Sequence, residues 1–345
     1  MVTKSQKNIG LLSLGGIIIL FIGSFFYLRK IGVPNDLDPT IIQISNNDSF
    51  ENLVNQLQEK DILHHPTLFK WLAKRMYFGG EDVRPGQFEI QPGWSLVELL
   101  KHLRWGENIP VKLILTNARL KEEVVGKISN SLELDSIKLL QKLSDENFLN
   151  QVGFTPDNVI SLFIPNTYLI YWNTSVDEFL NRMIAEHKKF WASNDRFTKA
   201  QSLNLTPEEV YTMASIIEKE TTVNAEKRTI AGVYLNRIRI GMPLQADPTA
   251  VFARRDFLTK RVTYYHIKYD HPFNTYINSG LPPGPICMPS ISSIDAVLEP
   301  EEHNYLYFCA IGDESGRHSF AKDMSGHQKN IRIYKRNLRE RGLLN

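Results

Sequence analysis

An uncharged, mostly apolar run near the start of the chain, Ile9–Leu28, limits most strongly what this sequence can fold into. A helix rises about 1.5 Å per residue, so a run of this length spans roughly 30 Å, the thickness of the hydrocarbon core of a bilayer. No small-residue cleavage site follows it before Arg29 and Lys30, which argues against a removed signal peptide. The run therefore predicts a retained transmembrane helix between an N-terminal segment, residues 1–8, and a linker, residues 29–40.

The charges beside this helix do not decide its orientation. Lys4 and Lys7 precede it and Arg29 and Lys30 follow it, so the count of basic residues is nearly the same on both sides.

Residues 41–108 show a strand, turn and helix pattern twice. Ile41–Ile44 is typical of a strand, and Phe50–Leu57 has apolar residues at helical spacing. In Phe88–Leu103 a short strand enters a Pro-Gly turn, after which Ser95 and Glu98 form a capping box for a helix. The pattern resembles a LysM-like module, which implies binding of N-acetylglucosamine-containing glycans, although a structural spacer would show the same pattern.

The remaining residues, 109–345, have no long repeat or low-complexity tract and predict one compact domain. Val111–Leu115 is typical of a strand and Lys121–Leu132 of a helix, and helical segments continue to Trp191 around a loop at Phe163–Tyr168. We therefore predict an α+β protein: a transmembrane helix, the small module, and a mixed α/β domain.

Composition and missing motifs exclude several functions. The formal net charge is +2, with 40 basic and 38 acidic residues, so no strongly basic face indicates a nucleic-acid partner. Cys287 and Cys309 are too few for a disulfide framework, and His318 and His327 have no zinc spacing. The signatures of serine hydrolases, zinc proteases and nucleotide-binding enzymes do not occur, and we expect no metal or cofactor.

A helix carrying two glutamates is the strongest candidate for a site. Thr206 is its predicted N-cap, and an apolar stripe is formed by Val210, Met213, Ala214 and Ile217. At about 100° per residue, Glu218 and Glu220 fall on opposite edges of that stripe.

Helix geometry favours Glu218 as the functional carboxyl. The small residues Ala214 and Ser215 precede it by one turn and leave room for a ligand, whereas two isoleucines crowd Glu220. A low-polarity position raises the pKa of a carboxyl and allows it to act as a general acid near neutral pH. A partly buried salt bridge to Lys227 or Arg228 is the competing interpretation.

Two loops downstream carry polar side chains suited to a sugar. The first places Gln245 and Asp247 between prolines, and the second, rich in proline and glycine, carries Asn274 and Tyr276. Stiffened loops with amides, hydroxyls and an aromatic ring are typical of sugar-binding walls.

Several consecutive motifs resemble one family. SIIEKET (215–221), LNRI with GMPLQADPT (235–249), FNTY (273–276) and GLPPGPI (280–286) are similar in order and spacing to the YceG-like, MltG-type membrane-anchored endolytic murein transglycosylases. The segment Tyr305–Phe320 with His327 resembles the closing strand pair of that family. Ile160–Tyr168 departs from the family pattern, because it lacks both acids of the corresponding stretch.

The resemblance implies a reaction and roles for residues. It implies non-hydrolytic cleavage of the β-1,4 bond after N-acetylmuramic acid, with Glu218 as the acid/base and the 6-hydroxyl of the sugar as the nucleophile, which leaves a 1,6-anhydro end. We expect Glu220 to position the site or to support the fold. The residues expected to hold the sugar are Ser215, Gln245, Asp247, Asn274 and Tyr276.

It also implies a location and partners. The N-terminus would be cytoplasmic and the catalytic domain would face the wall, acting on nascent peptidoglycan strands beside peptidoglycan synthases to release or terminate them. Two alternatives stay open: an inverting glycoside hydrolase in which Asp247 activates water, and a non-catalytic, membrane-tethered glycan-binding scaffold.

Overall fold

The computed structural model describes residues 31–79, 83–259 and 261–344, which form two compact units. The first unit contains the described residues up to Lys112, with short returns of the chain at Ser131–Glu133 and Leu169–Thr174; the second contains the others. Across the described ranges, no helix combines the length and apolar character needed to cross a membrane. The predicted transmembrane helix, Ile9–Leu28, lies outside these ranges.

The first unit has a two-stranded antiparallel sheet with two helices between its strands. Its elements are β1 (Thr40–Ile44), α1 (Phe50–Glu59), α2 (Pro66–Arg75), β2 (Gly86–Ile90) and α3 (Leu96–Trp105). The strands pair from Thr40 with Ile90 to Ile44 with Gly86. The fully buried core comes from both strands and all three helices, and includes Ile42, Ile44, Leu53, Phe69, Phe88 and Leu99.

Side-chain caps fix where these helices begin. The Ser49 hydroxyl accepts the backbone N–H of Asn52 at 3.2 Å at the start of α1. At the start of α3, Ser95 and Glu98 form the predicted capping box, with the Ser95 N–H donating to Glu98 Oε2 at 2.8 Å. Both caps satisfy amides that have no partner inside the helix, so the predicted helix starts are confirmed.

The rest of the chain is mainly helical. Its elements are β3 (Pro110–Leu115), α4 (Lys121–Ser129), α5 (Ser136–Lys142), α6 (Glu146–Val152), β4 (Asn166–Tyr171), α7 (Val176–Ala192), α8 (Arg196–Ser202), α9 (Pro207–Glu220), α10 (Lys227–Arg239), α11 (Asp247–Arg254), α12 (Tyr264–Ile267), α13 (Ile291–Leu298), β5 (Tyr307–Ala310), β6 (His318–Ala321) and α14 (Met324–Glu340). β3 pairs with β4 and β5 with β6. Mixed helices and antiparallel pairs confirm the α+β class.

The predicted loop at Phe163–Tyr168 was wrong at its end, where β4 begins.

Helix α9 lies at the centre of the second unit. Thr206 caps it as predicted, with Pro207 at the first turn and Glu209 completing a capping box. Every residue of Val210–Ile217 is buried, because α10, α11 and α13 all pack against α9. The predicted single apolar stripe is therefore too narrow a description, and only the last residues of the helix approach solvent.

The C-terminal hairpin pairs residue by residue, from Tyr307 with Ala321 to Ala310 with His318, and it is the predicted strand pair. The two cysteines do not pair: Cys287 and Cys309 are both free thiols.

Candidate active site

Glu220, the last residue of α9, faces a cavity of about 550 Å³. The cavity is lined by Arg119, Lys219, Glu220, Asp247, Pro248, Val251, Phe252, Phe257, Thr259, Arg261, Val262 and Ile286. Its size falls within the usual range for sites that bind small ligands, and its wall is divided evenly between apolar residues and polar or charged ones.

The surroundings of Glu220 favour its protonated form. Burial, partly offset by a hydrogen bond from Tyr234 and reinforced by the negative charge of Asp247, raises the pKa of Glu220 to about 7. The Tyr234 hydroxyl donates to Glu220 Oε1 at 2.8 Å and fixes the carboxyl. A carboxyl poised near neutral pH can donate a proton and afterwards accept one.

Asp247 shares this cavity and is fixed by a second tyrosine. It is the first residue of α11, and the Tyr276 hydroxyl donates to its Oδ1 at 2.5 Å. The loop before it is held by Thr275, whose hydroxyl accepts the N–H of Ala246 at 3.0 Å. The structure therefore brings Glu220, Asp247 and Tyr276 together.

Gln245 is exposed two residues before Asp247. Its φ of 47° is in the left-handed region, and its N–H donates to the carbonyl of Thr275 at 3.1 Å. The backbone of this residue thus helps to shape the turn that presents Asp247, and its side chain is free to meet a ligand.

Glu218 points to a different set of partners. Its Oε2 accepts hydrogen bonds from Lys227 Nζ at 3.1 Å, from the Ser290 N–H at 3.2 Å, from the Ser290 hydroxyl at 2.6 Å and from the Ser293 hydroxyl at 2.5 Å. Burial alone would raise the pKa of Glu218, but the hydrogen bonds from Ser290, Ser293 and Lys227 lower it overall. The expectation of a raised pKa at Glu218 is corrected, and the alternative interpretation, an ion pair with Lys227, is what the structure contains.

Ser215 does not line an open space. It is fully buried, its hydroxyl donates to the Thr212 carbonyl at 2.6 Å, and the same oxygen accepts the N–H of Ile286 at 3.0 Å. The expected room beside Ser215 is occupied by the segment around Ile286. We therefore correct its predicted role: Ser215 fixes that segment and is closed to a sugar.

Asn274 is also structural. Its fully buried amide nitrogen donates to the carbonyls of His266, Ile267 and Tyr269 at 3.2, 3.2 and 2.8 Å. Its oxygen accepts the N–H of Tyr276 at 3.1 Å. Because these bonds occupy the whole amide group, the predicted sugar contact is corrected to support of the loop that carries Tyr276.

Sequence reasoning missed Tyr234 and Arg237, one turn apart on α10. Both are buried; Arg237 donates to the carbonyls of Leu306 at 2.7 Å and Leu244 at 2.6 Å. A tyrosine and an arginine spaced i, i+3 among apolar residues of one helix face is a weak signal that could have indicated buried polar contacts.

A half-buried, helix-borne carboxyl beside a second carboxylate in an open cavity has the arrangement of an acid–base site. The family model of the YceG-like family matches residues 42–333, and this chain belongs to that family. The predicted family is thereby confirmed.

Relatives of known name are similar over most of the chain. The endolytic murein transglycosylase of Bacillus subtilis (strain 168) is 28% identical over 326 residues, covering 89% of each chain. That of Streptococcus pneumoniae serotype 2 is 26% identical over 320 residues, covering 84% of this chain and 57% of that protein. The crystal structure of a YceG-like protein from Listeria monocytogenes superimposes with a TM-score of 0.57 at 25% identity, covering 85% of this chain and 98% of that one.

Proposed function

We propose that this protein is a peptidoglycan lytic transglycosylase that cleaves the β-1,4 bond between N-acetylmuramic acid and N-acetylglucosamine, with Glu220 as its acid/base. The observation that carries the proposal is the carboxyl of Glu220, which faces the cavity, is fixed by Tyr234 and has a pKa of about 7. Two similar proteins named endolytic murein transglycosylase support the reaction class.

One carboxyl serves both steps of the reaction. Protonated Glu220 donates its proton to the glycosidic oxygen, and the bond from that oxygen to the anomeric carbon of the muramic acid breaks. The resulting carboxylate takes the proton of the 6-hydroxyl of the same sugar, whose oxygen bonds to the anomeric carbon. The products are a new 4-hydroxyl end and a 1,6-anhydro end, and no water is consumed.

Asp247 and Tyr276 act beside the acid. The negative charge of Asp247 holds the pKa of Glu220 up, which keeps the acid protonated before the first step. Asp247 can also stabilise positive charge that develops on the sugar ring during bond breaking. Gln245, on the same turn, contacts the substrate.

Glu218 becomes an anchoring residue in this proposal. Its Oε2 accepts four hydrogen bonds, and those from Ser290, Ser293 and Lys227 outweigh burial and lower the pKa of Glu218. Its bonds to Ser290 and Ser293 join the end of α9 to the start of α13 and thereby hold Glu220, two residues later, at the cavity.

The proposal includes a membrane anchor and a glycan-binding module. The uncharged run Ile9–Leu28 would hold the chain in the bacterial cell membrane with its N-terminus in the cytoplasm and residues 109–345 facing the wall. The strand, helix, helix, strand order of β1, α1, α2 and β2 supports a LysM-like module in residues 41–108. Cleavage close to the membrane would release or terminate nascent strands where peptidoglycan synthases make them.

A second candidate is an inverting hydrolase in which Asp247 activates a water molecule. It is favoured by one observation, the second carboxylate on the wall of the same cavity. It predicts hydrated reducing ends in place of anhydro ends.

The products decide between these mechanisms. The full-length protein in detergent is incubated with purified glycan strands, and the ends are weighed by mass spectrometry. Ends lighter by one water, absent with Glu220→Gln, are the expected result. Hydrated reducing ends would establish the hydrolase. If the folded protein does not cleave even nascent strands prepared from membranes, the non-catalytic glycan-binding scaffold is the remaining interpretation.

A further inference from the structure

Three cationic side chains line the cavity that holds Glu220: Arg119, Lys219 and Arg261. In the part of the chain that the structure describes, none of the three makes an ion pair or a side-chain hydrogen bond. Lys219 and Arg261 are exposed, where an unpaired cation is common, but Arg119 is half-buried, and a half-buried guanidinium normally has a carboxylate partner. What the three share is their position around one cavity.

Arg119 is held in place without being neutralised. Its guanidinium lies over the ring of Phe257, 4.7 Å from the ring centre, and Phe257 lines the same cavity. A cation–π contact uses the face of the guanidinium and leaves its N–H donors at the edge available for a ligand. The side chain is therefore already oriented before any ligand binds.

Arg261 extends the positive surface along the site. It also lines a neighbouring cavity of about 380 Å³ together with Asp247, Tyr264 and Tyr276. A ligand bound at Glu220 can therefore continue past Arg261 toward an exposed tyrosine, Tyr264.

These cations are not needed by the carboxyls of the protein itself. The pKa of Glu220 is shifted by burial, Tyr234, Asp247 and Arg237. It is not shifted by Arg119, Lys219 or Arg261, which we call the rim residues of the cavity. Asp247 is occupied by Tyr276. The positive charges thus face the space where substrate lies.

We propose that Arg119, Lys219 and Arg261 bind carboxylates on the branch that muramic acid carries at its lactyl group, so that the preferred substrate is an anionic, branched strand. This inference rests on the proposed function and names its substrate class. The sugar rings of such a strand are uncharged, and its negative charges are the carboxylates of the attached peptide or, where the peptide is absent, that of the lactyl group. Three cations on one cavity, one of which also lines a neighbouring cavity, fit several carboxylates better than one, which favours the peptide.

The experiment measures cleavage by the full-length protein of three substrates: strands with peptides whose carboxylates are free, the same strands with those carboxylates amidated, and strands stripped of peptide. Arg119→Gln and Arg261→Gln are compared with wild type and with Arg332→Gln, an exposed arginine that does not line the cavity. A charge-assisted contact is worth about tenfold or more, so each rim variant should raise KM for free-carboxylate strands by about that factor with kcat unchanged. The increase should shrink in high salt.

Amidated strands identify the source of the charge. If the peptide carboxylates bind, wild type and rim variants cleave amidated strands equally, and this equal rate also shows that the variants are folded. If the lactyl carboxylate binds, the rim variants lose affinity only for stripped strands. Rim variants that match wild type and Arg332→Gln on all three substrates would overturn the inference, whereas failure of wild type to cleave any substrate would instead refute the proposed function.

Discussion

The Tyr234 hydroxyl and the Glu220 carboxyl are joined by a hydrogen bond of 2.8 Å from one helix to the next. This bond favours the charged carboxylate, whereas burial and the nearby charge of Asp247 favour the neutral acid, and the balance places the pKa of Glu220 at about 7. At neutral pH, both protonation states are then populated. A group that must give and then take a proton within one reaction cycle is best tuned in this way.

The first prediction separates the two glutamates. Glu220→Gln removes the proton donor and should lower cleavage of glycan strands at least about a hundredfold, while Glu218→Gln should keep a larger share of the activity. Initial rates at low temperature, with folding checked by circular dichroism, make the comparison. Complete loss in Glu218→Gln together with activity in Glu220→Gln would return the acid/base role to Glu218.

The second prediction concerns stability and pH. Because the pKa of Glu220 in the folded protein is above its ordinary value of 4.5, the folded state binds more protons than the unfolded state between these values. The contribution of Glu220 to stability is therefore present at pH 4.5 and is lost as the pH rises through about 7. Thermal unfolding of wild type and Glu220→Gln should show the variant gaining Tm relative to wild type from pH 5 to pH 8. A constant difference across this range would contradict the raised pKa.

The third prediction concerns the ion pair of Glu218 and Lys227, whose side chains are only 22% and 5% exposed. Glu218→Gln leaves the Lys227 ammonium buried without its counter-ion and should cost about 2–4 kcal/mol of unfolding free energy. Because the folded pKa of Glu218 is lowered, this contribution is present above 4.5 and disappears as the pH falls through the folded value.

The control for that measurement is the double variant Glu218→Gln/Lys227→Met, which removes both charges. Denaturant unfolding should show that it regains part of the lost stability, because no unpaired charge is left. A double variant less stable than Glu218→Gln alone would show that the hydrogen bonds of Lys227 to Ser290 and Ser292 matter more than its charge.

The fourth prediction uses Tyr234→Phe, which removes one hydroxyl and keeps the ring. Losing the hydrogen bond that favours the charged form raises the pKa of Glu220 further. The fall of activity on the alkaline side of the pH–rate profile should therefore move to higher pH. A shift to lower pH, or none, would show that Tyr234 does not set the protonation of the acid.

The fifth prediction tests the structural role of Asn274. Asn274→Asp replaces the donor to three backbone carbonyls by an acceptor and should cost on the order of 3 kcal/mol. At temperatures where the variant is folded, KM for glycan strands should stay close to the wild-type value. A large rise of KM with unchanged Tm would instead indicate that Asn274 contacts the sugar.

Local features of the fold were accessible from the sequence. The helix starts at Ser95 and Thr206 depend on residues within four positions of each other, so their patterns were sufficient. The strand pair β5–β6 followed from the resemblance and was also found.

The sequence does not contain the information needed to decide whether Glu218 or Glu220 is the functional carboxyl. Counting residues along α9 compares only neighbours on that helix, but the space beside Ser215 is filled by Ile286 and the partners of Glu218 lie at Ser290 and Ser293. These contacts join positions about seventy residues apart, and no periodicity records them. For the same reason, the sequence predicts a sugar contact at Asn274, whereas in the structure this residue holds its own loop.

The dependence of Glu220 on α10 and the C-terminal hairpin has a consequence for biosynthesis. Tyr234 packs edge-on against Phe308 of β5, and Arg237 binds the carbonyl of Leu306, so the environment that holds the acid includes residues synthesised about ninety positions after it. A growing polypeptide that ends before this hairpin lacks these contacts, which hold Tyr234 and Arg237 beside Glu220. The active site is therefore complete only late in translation, after the hairpin has been synthesised, and truncated chains lack part of it.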